Sequence, residues 1–95
     1  MLNLYKKKPV LIYMHEGCAK INIKFCNVQM KLKLCQFKLF NNYLLNKSRK
    51  ITESTTKVEL LLVQNNLTVT VSLNNFLQLM HGVSSVVNKE NNLKN

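Results

Sequence analysis

Five side chains in this chain have the chemistry to hold a soft metal ion or to act as nucleophile and base: His15, Cys18, Cys26, Cys35 and His81. Zinc favours thiolate and imidazole ligands, and a structural zinc site brings two close pairs into one tetrahedron. Here only His15-x-x-Cys18 makes such a pair. Cys26 falls at an expected hairpin tip and Cys35 at an expected helix start, so the set does not converge, and the expectation is no metal and no cofactor. On this reading Cys35 packs as a small apolar side chain and Cys26 is exposed. Nucleophilic catalysis by Cys18 with His15 would need a third, orienting group, and Glu16 is the only acid nearby. The chain has no Asp and only four Glu, spread along its length, and no glycine-rich phosphate loop. Paired carboxylates are absent too, so the expectation is not an enzyme.

The elements that would position these groups follow from hydrophobic spacing. From Ile21 to Leu34 apolar and polar residues alternate with period two. The pattern returns 39 residues on, carrying Val28–Leu34 onto Leu67–Leu73 and Phe37 onto Phe76. Period two is the signature of a half-buried strand, and a recurrent period signals a duplicated unit. With Cys26-Asn27 and Asn65-Asn66 as two-residue turns, Phe25 faces Val28, Ile23 faces Met30 and Ile21 faces Leu32. In the second hairpin Leu62 then faces Val69, and Leu60 faces Val71. Asn tolerates the positive φ of a type I′ turn.

After each hairpin the period lengthens. Phe37, Phe40 and Leu44 recur at helical steps from Cys35 to about Asn46, with Lys38, Asn41 and Asn42 on the polar side. The start of this helix lacks a capping side chain, because neither Lys33 nor Leu34 accepts a hydrogen bond. The second helix opens after Ser72, a good cap, and turns Phe76, Leu79, Met80, Val83 and Val87 inward. Gly82 lowers its helix propensity by about 1 kcal/mol relative to Ala and predicts a bend or an early end.

Outside the two units, Met1 to Lys8 reads as a loose arm. Val10–Met14 reads as a strand led by Pro9 in the manner of an edge. Lys47 to Lys57 is a connecting loop, and residues 88–95 a disordered tail. The fold class expected is α+β: an N-terminal strand with a first ββα unit over 9–46 and a second ββα unit over 57–87, forming one antiparallel sheet with both helices on one face. Ninety-five residues make a single domain with one modest core.

Charge and cysteine usage bound the setting. Fourteen Lys and Arg against four Glu give a formal charge of +10, and 13 of the 14 are Lys. Such a balance attracts polyanions, although Lys and Asn enrichment is also what an A+T-rich coding sequence produces. Three cysteines without a paired framework point to a reduced, cytoplasmic setting. The early apolar run, Pro9 to Met14, is too short for a signal peptide or a membrane span, so no membrane partner is expected.

Two surfaces emerge as candidates. On the first hairpin the outward positions include Lys20, Asn22, Lys24, Gln29, Lys31 and Lys33, a basic face; Lys20, Lys24, Lys31 and Lys33 would meet phosphates. Modules that read nucleic acid on a sheet also display aromatics there. Only Tyr5, Tyr13 or Tyr43 is free to do so here. On the second hairpin, Leu61 and Val63 stand where the first has Asn22 and Lys24, and Thr68 and Thr70 where it has Gln29 and Lys31. That half of the sheet is expected to be apolar on both sides and to need a cover. The leading expectation is a non-enzymatic interaction domain that self-associates through Leu61, Val63, Thr68 and Thr70, as a homo-oligomer or with a protein partner. The alternative is weak, sequence-nonspecific nucleic-acid binding through the four lysines.

Residues 15 to 45, and again 57 to 87, resemble a small, functionally uncharacterised domain family of the Bacteroidota. That family has a Cys/His-containing turn, an alternating strand, a hairpin tip of aromatic-Gly-Asn-hydrophobic type, a second strand and a helix opened by Phe. The matching stretch runs His15-Glu16-Gly17-Cys18-Ala19-Lys20-Ile21-Asn22-Ile23-Lys24-Phe25-Cys26-Asn27-Val28 and on to Phe37. It departs where Cys26 replaces the turn Gly. The resemblance implies the ββα pattern but no activity and no catalytic residue.

Overall fold

A computed structural model of the chain describes residues 2–26, 28–62 and 67–93. The elements run β1 (Leu2–Lys7), β2 (Val10–Met14), β3 (Ile21–Phe25), β4 (Val28–Leu32), α1 (Leu34–Ser48), β5 (Lys57–Leu62), β6 (Leu67–Ser72) and α2 (Leu73–Leu93). The class is α+β. β1 to β4 form an antiparallel sheet in chain order, and β5 with β6 forms a second, two-stranded one.

The first hairpin has the register that alternation predicts: Ile21 pairs with Leu32, Ile23 with Met30 and Phe25 with Val28. Cys26 at its tip takes φ of +54°, the left-handed conformation that a tight hairpin turn requires. Its turn partner Asn27 lies outside the described residues. Val10, Ile12, Ile21, Ile23, Phe25, Met30 and Leu32 all face inward and are buried.

The N-terminal segment departs from expectation. Instead of a loose arm, it is β1, paired antiparallel to β2 with an irregularity between Asn3 and Tyr5. β2 is therefore internal, and Pro9 lies in the two-residue connection before it, after a cis Lys8–Pro9 bond. Beyond that pairing, the ring of Tyr5 on β1 lies over Gly82 of α2. A Cβ on that glycine would stand 2.7 Å from Tyr5 Cε2. Gly82 is thus no weak point of the helix but the recess that lets a strand approach, and α2 continues beyond it without a break.

The second hairpin is offset from expectation by two residues: Leu62 pairs with Leu67, Leu60 with Val69 and Val58 with Val71. Alternation cannot see this, because a slip of two leaves every side chain on its own face. The turn assigned to Asn65-Asn66 lies outside the described residues, as does Val63. Nor does this hairpin join the first in one sheet. Leu61 N–H donates to the hydroxyl of Tyr43 on α1, at 2.8 Å, so a side chain satisfies an edge donor that a neighbouring strand would otherwise take. The two hairpins share a core without sharing a ladder.

That core is organised on α2, which packs against β1, β2, β5, β6 and α1, while α1 packs against β4. Phe37, Leu44, Phe76, Leu79 and Val83 have no exposed surface, and Val86 and Val87 extend the buried stripe of α2. Asn41, expected on the polar side of α1, is instead buried at the helix crossing, where it accepts a 2.8 Å hydrogen bond from Ser84 Oγ. Buried amides need such a partner.

At the helix starts, Gln36 Oε1 accepts from Lys33 N–H at 2.9 Å, half of a capping box without a capping hydroxyl. Ser72 Oγ accepts from Asn75 N–H at 3.2 Å, as expected of a cap. The tail expected over residues 88–95 is helical as far as Leu93. Elongating a formed helix is far easier than nucleating one, and no Pro or Gly interrupts this stretch.

Candidate functional site

The groups that could do chemistry remain apart. His15 and Cys18 share one turn, closed by Cys18 N–H donating to His15 C=O at 3.1 Å. His15 meets the ring of Tyr13 edge-on, and His81 lies on α2 beside Tyr5. Cys26 is exposed at the hairpin tip near Asn75, whose side-chain amide donates to its sulfur at 3.8 Å. Cys35, expected to pack as an apolar residue, is exposed on the first turn of α1. Among the described residues, no three His, Cys, Asp or Glu side chains are gathered in the way a metal ion needs.

The lysine face is partly assembled. Lys6, Leu11, Lys24 and Gln29 form one row across the outer side of the four-stranded sheet, and Asn3, Tyr13, Asn22 and Lys31 form the next. Strands lie about 4.8 Å apart, so Lys6 stands roughly 10 Å from Lys24. Sequence reasoning missed Lys6 because β1 was not foreseen. Lys20 and Lys33 are exposed just beyond the Ile21–Leu32 pair that ends the ladder. None of the four strands contains an acidic residue.

This face is not uniformly wet. Tyr13 and Asn22 are buried on it. Gln29 Nε2 donates to Tyr13 Oη at 3.2 Å, and Asn22 Nδ2 to the Tyr13 carbonyl at 3.5 Å. With its ring covered, Tyr13 offers no platform on which a base could stack.

On the second hairpin, Leu61, Thr68 and Thr70 are exposed, Leu61 at 46%. Their outward neighbours are Lys57, Glu59 and Ser72, so among the described residues Leu61 is the single apolar side chain on a polar face. Val63, the other apolar residue expected on this face, lies outside the described residues. Alternation had placed Leu61 outward, yet it gave no sign of what lies beside it.

Leu61 forms one wall of a cleft of about 330 Å³ between the hairpins. Met30 and Leu32 of β4 and Gln36, Leu39, Phe40 and Tyr43 of α1 line the rest. Its surface is predominantly apolar. Leu39 is 67% exposed, more than any other large apolar side chain described. Phe40 and Tyr43 stack with centroids 6.4 Å apart, and Tyr43 is held by its bond to Leu61 N–H.

No family model, curated protein or solved structure matches this chain. The resemblance to the Bacteroidota family therefore rests only on the residues that carry it. What the cleft can bind follows from its own chemistry.

The sequence contained one signal for it. Leu39 lies off the Phe37–Leu44 stripe, on a side of α1 that would be polar in a helix with one buried face. Among the described residues, no helix is long and apolar enough to cross a membrane.

Proposed function

We propose that this protein is a non-enzymatic interaction domain that presents the cleft between α1, β4 and β5 to a second polypeptide. The observation that carries this reading is the joint exposure of Leu39 and Leu61 in the lining of one apolar recess. Exposed apolar side chains clustered at a recess, unlike scattered ones, mark a binding surface. Thr68 and Thr70 continue the surface laterally from Leu61. Self-association through that surface is the form of the reading that needs no other component.

Sedimentation velocity at tens of micromolar, with an environment-sensitive apolar dye as a second readout, tests it. Support would be either a dimer dissolved by Leu61→Lys or dye fluorescence lost on Leu39→Lys in a folded chain. A monomer whose dye response ignores both substitutions overturns it.

A second reading, weak sequence-nonspecific binding of nucleic acid, is favoured by the acid-free sheet carrying Lys6, Lys24 and Lys31, with Lys20 and Lys33 at its end. Counterion release makes such binding salt-dependent, with a log–log slope of about −0.9 per phosphate neutralised. Four contacts would give a slope near −3.6, a loss of roughly 150-fold between 50 and 200 mM salt. A flat salt response excludes it.

A further inference from the structure

We propose that the segment this cleft accepts is acidic at both ends and apolar in the middle, supplied by a different protein and not by a second copy of the chain. This deepens the docking reading above and rests on it.

Gln36, Leu39, Phe40 and Tyr43 occupy one side of α1. One turn before Gln36 on that side stands Lys33, the exposed residue at the N-cap. One turn after Tyr43 stands Lys47, whose Nζ lies 6.0 Å from the Tyr43 ring centroid. At 1.5 Å per residue, the two lysines stand about 21 Å apart along the helix. The apolar floor lies between them. A ligand that follows the floor meets a cation at each end.

Size limits what fills the middle. A cavity of about 150 Å³ lined by aliphatic and aromatic side chains takes one benzene ring. The cleft, at about 330 Å³, holds roughly two side chains of ring size, such as Leu and Phe. Its polar fittings are few: the Gln36 amide is engaged by Lys33 N–H, and the Tyr43 hydroxyl by Leu61 N–H. The Gln36 side-chain NH2 and the Tyr43 O–H remain as two donors beside an otherwise apolar surface. Recognition is thus apolar at the centre and electrostatic at the ends.

A second copy is a poor match on charge. The chain carries +10, and its acids, Glu16, Glu53, Glu59 and Glu90, are isolated from one another in sequence. It has no segment with carboxylates on both sides of an apolar pair, and two such chains repel.

The test uses two fluorescent synthetic peptides of about fourteen residues, enough to span 21 Å as a helix. Each has a central Leu-Phe pair, with two Glu at either end in one and two Lys in the other. Fluorescence anisotropy is read against the full-length chain and three variants. Lys33→Glu with Lys47→Glu reverses the cleft ends. Lys6→Glu with Lys24→Glu makes the same change of net charge on the outer face of the sheet. Leu39→Lys puts a charge on the apolar floor.

The acidic peptide is expected to bind on the order of tenfold more tightly than the basic one. That preference should vanish on reversing Lys33 and Lys47, survive reversal of Lys6 and Lys24, and binding itself should fall with Leu39→Lys. If both peptides bind alike and Leu39→Lys still removes them, the charge assignment is overturned and the docking cleft stands. Equal loss of preference in the two lysine pairs also overturns it, because net charge alone is then the cause. Binding of neither peptide overturns both. Sedimentation of the wild-type chain as a dimer dissolved by Leu39→Lys overturns the choice of a different protein.

Discussion

Gly82→Ala is the substitution on which sequence and structure disagree in sign. Judged by helix propensity, replacing a mid-helix glycine with alanine should stabilise by about 1 kcal/mol. In the structure the added Cβ lies 2.7, 2.8 and 3.2 Å from Cε2, Cδ2 and Cζ of Tyr5, where carbon atoms in contact prefer 3.5–4.0 Å. The ring must retreat by about 1 Å. It is a rigid, half-buried ring on β1, held between the helix and the Tyr5–Ile12 pair of the sheet. Overpacking of this kind costs about 1–3 kcal/mol. Taking 2 as the middle, the net effect is a loss of about 1 kcal/mol, or roughly 4–8 °C in Tm for a domain of this size.

The decisive measurement is a double-mutant cycle with Tyr5→Ala, followed by urea denaturation. Without the ring, Gly82→Ala should recover its propensity gain of about 1 kcal/mol, giving a coupling of about 2 kcal/mol between the sites. A stabilising Gly82→Ala that is indifferent to residue 5 would refute the packing of Tyr5 on α2.

Other substitutions probe single contacts. Tyr43→Phe removes the acceptor of Leu61 N–H and should lower stability by about 1 kcal/mol, with amide exchange at Leu61 accelerated; unchanged exchange would deny that bond. Tyr5 Oη is buried with no hydrogen-bond partner among the described residues. Tyr5→Phe should therefore be neutral or stabilising by up to about 1 kcal/mol in urea titrations, and a clear loss would reveal a partner. Asn41→Ala leaves Ser84 Oγ without its acceptor and should cost about 1–2 kcal/mol. The double variant with Ser84→Ala should cost no more than that, which thermal melts of all three chains can decide. Reversing Lys24 and Lys31 to Glu should abolish retention on an anionic column if the outer face binds polyanions, and full retention would remove that surface from consideration.

The class of the fold and the interior of its first hairpin were legible in the order of residues. Period-two alternation leaves only one face on which Ile21, Ile23, Phe25, Met30 and Leu32 avoid water, and the two-residue turn then sets their register. Both helices were legible too, because Phe37 with Leu44 and Phe76 with Val83 are apolar at helical steps. What alternation cannot carry is any choice that preserves the face. The second hairpin is offset by two residues from the predicted pairing for that reason, and it forms a sheet of its own, with Leu61 N–H bonded to the hydroxyl of Tyr43, 18 residues away.

Where the polar residues went depends on contacts between elements distant in the chain. Asn41 and Asn22 look like surface residues by type and are buried through partners elsewhere in the chain, Ser84 and the Tyr13 carbonyl. Gly82 reads as a flaw in a helix until Tyr5 is placed over it. The cleft is the extreme case, because its walls come from β4, α1 and β5. No local pattern brings Leu61 beside Leu39; that proximity exists only because both hairpins bury their apolar faces in the one core that 95 residues can make.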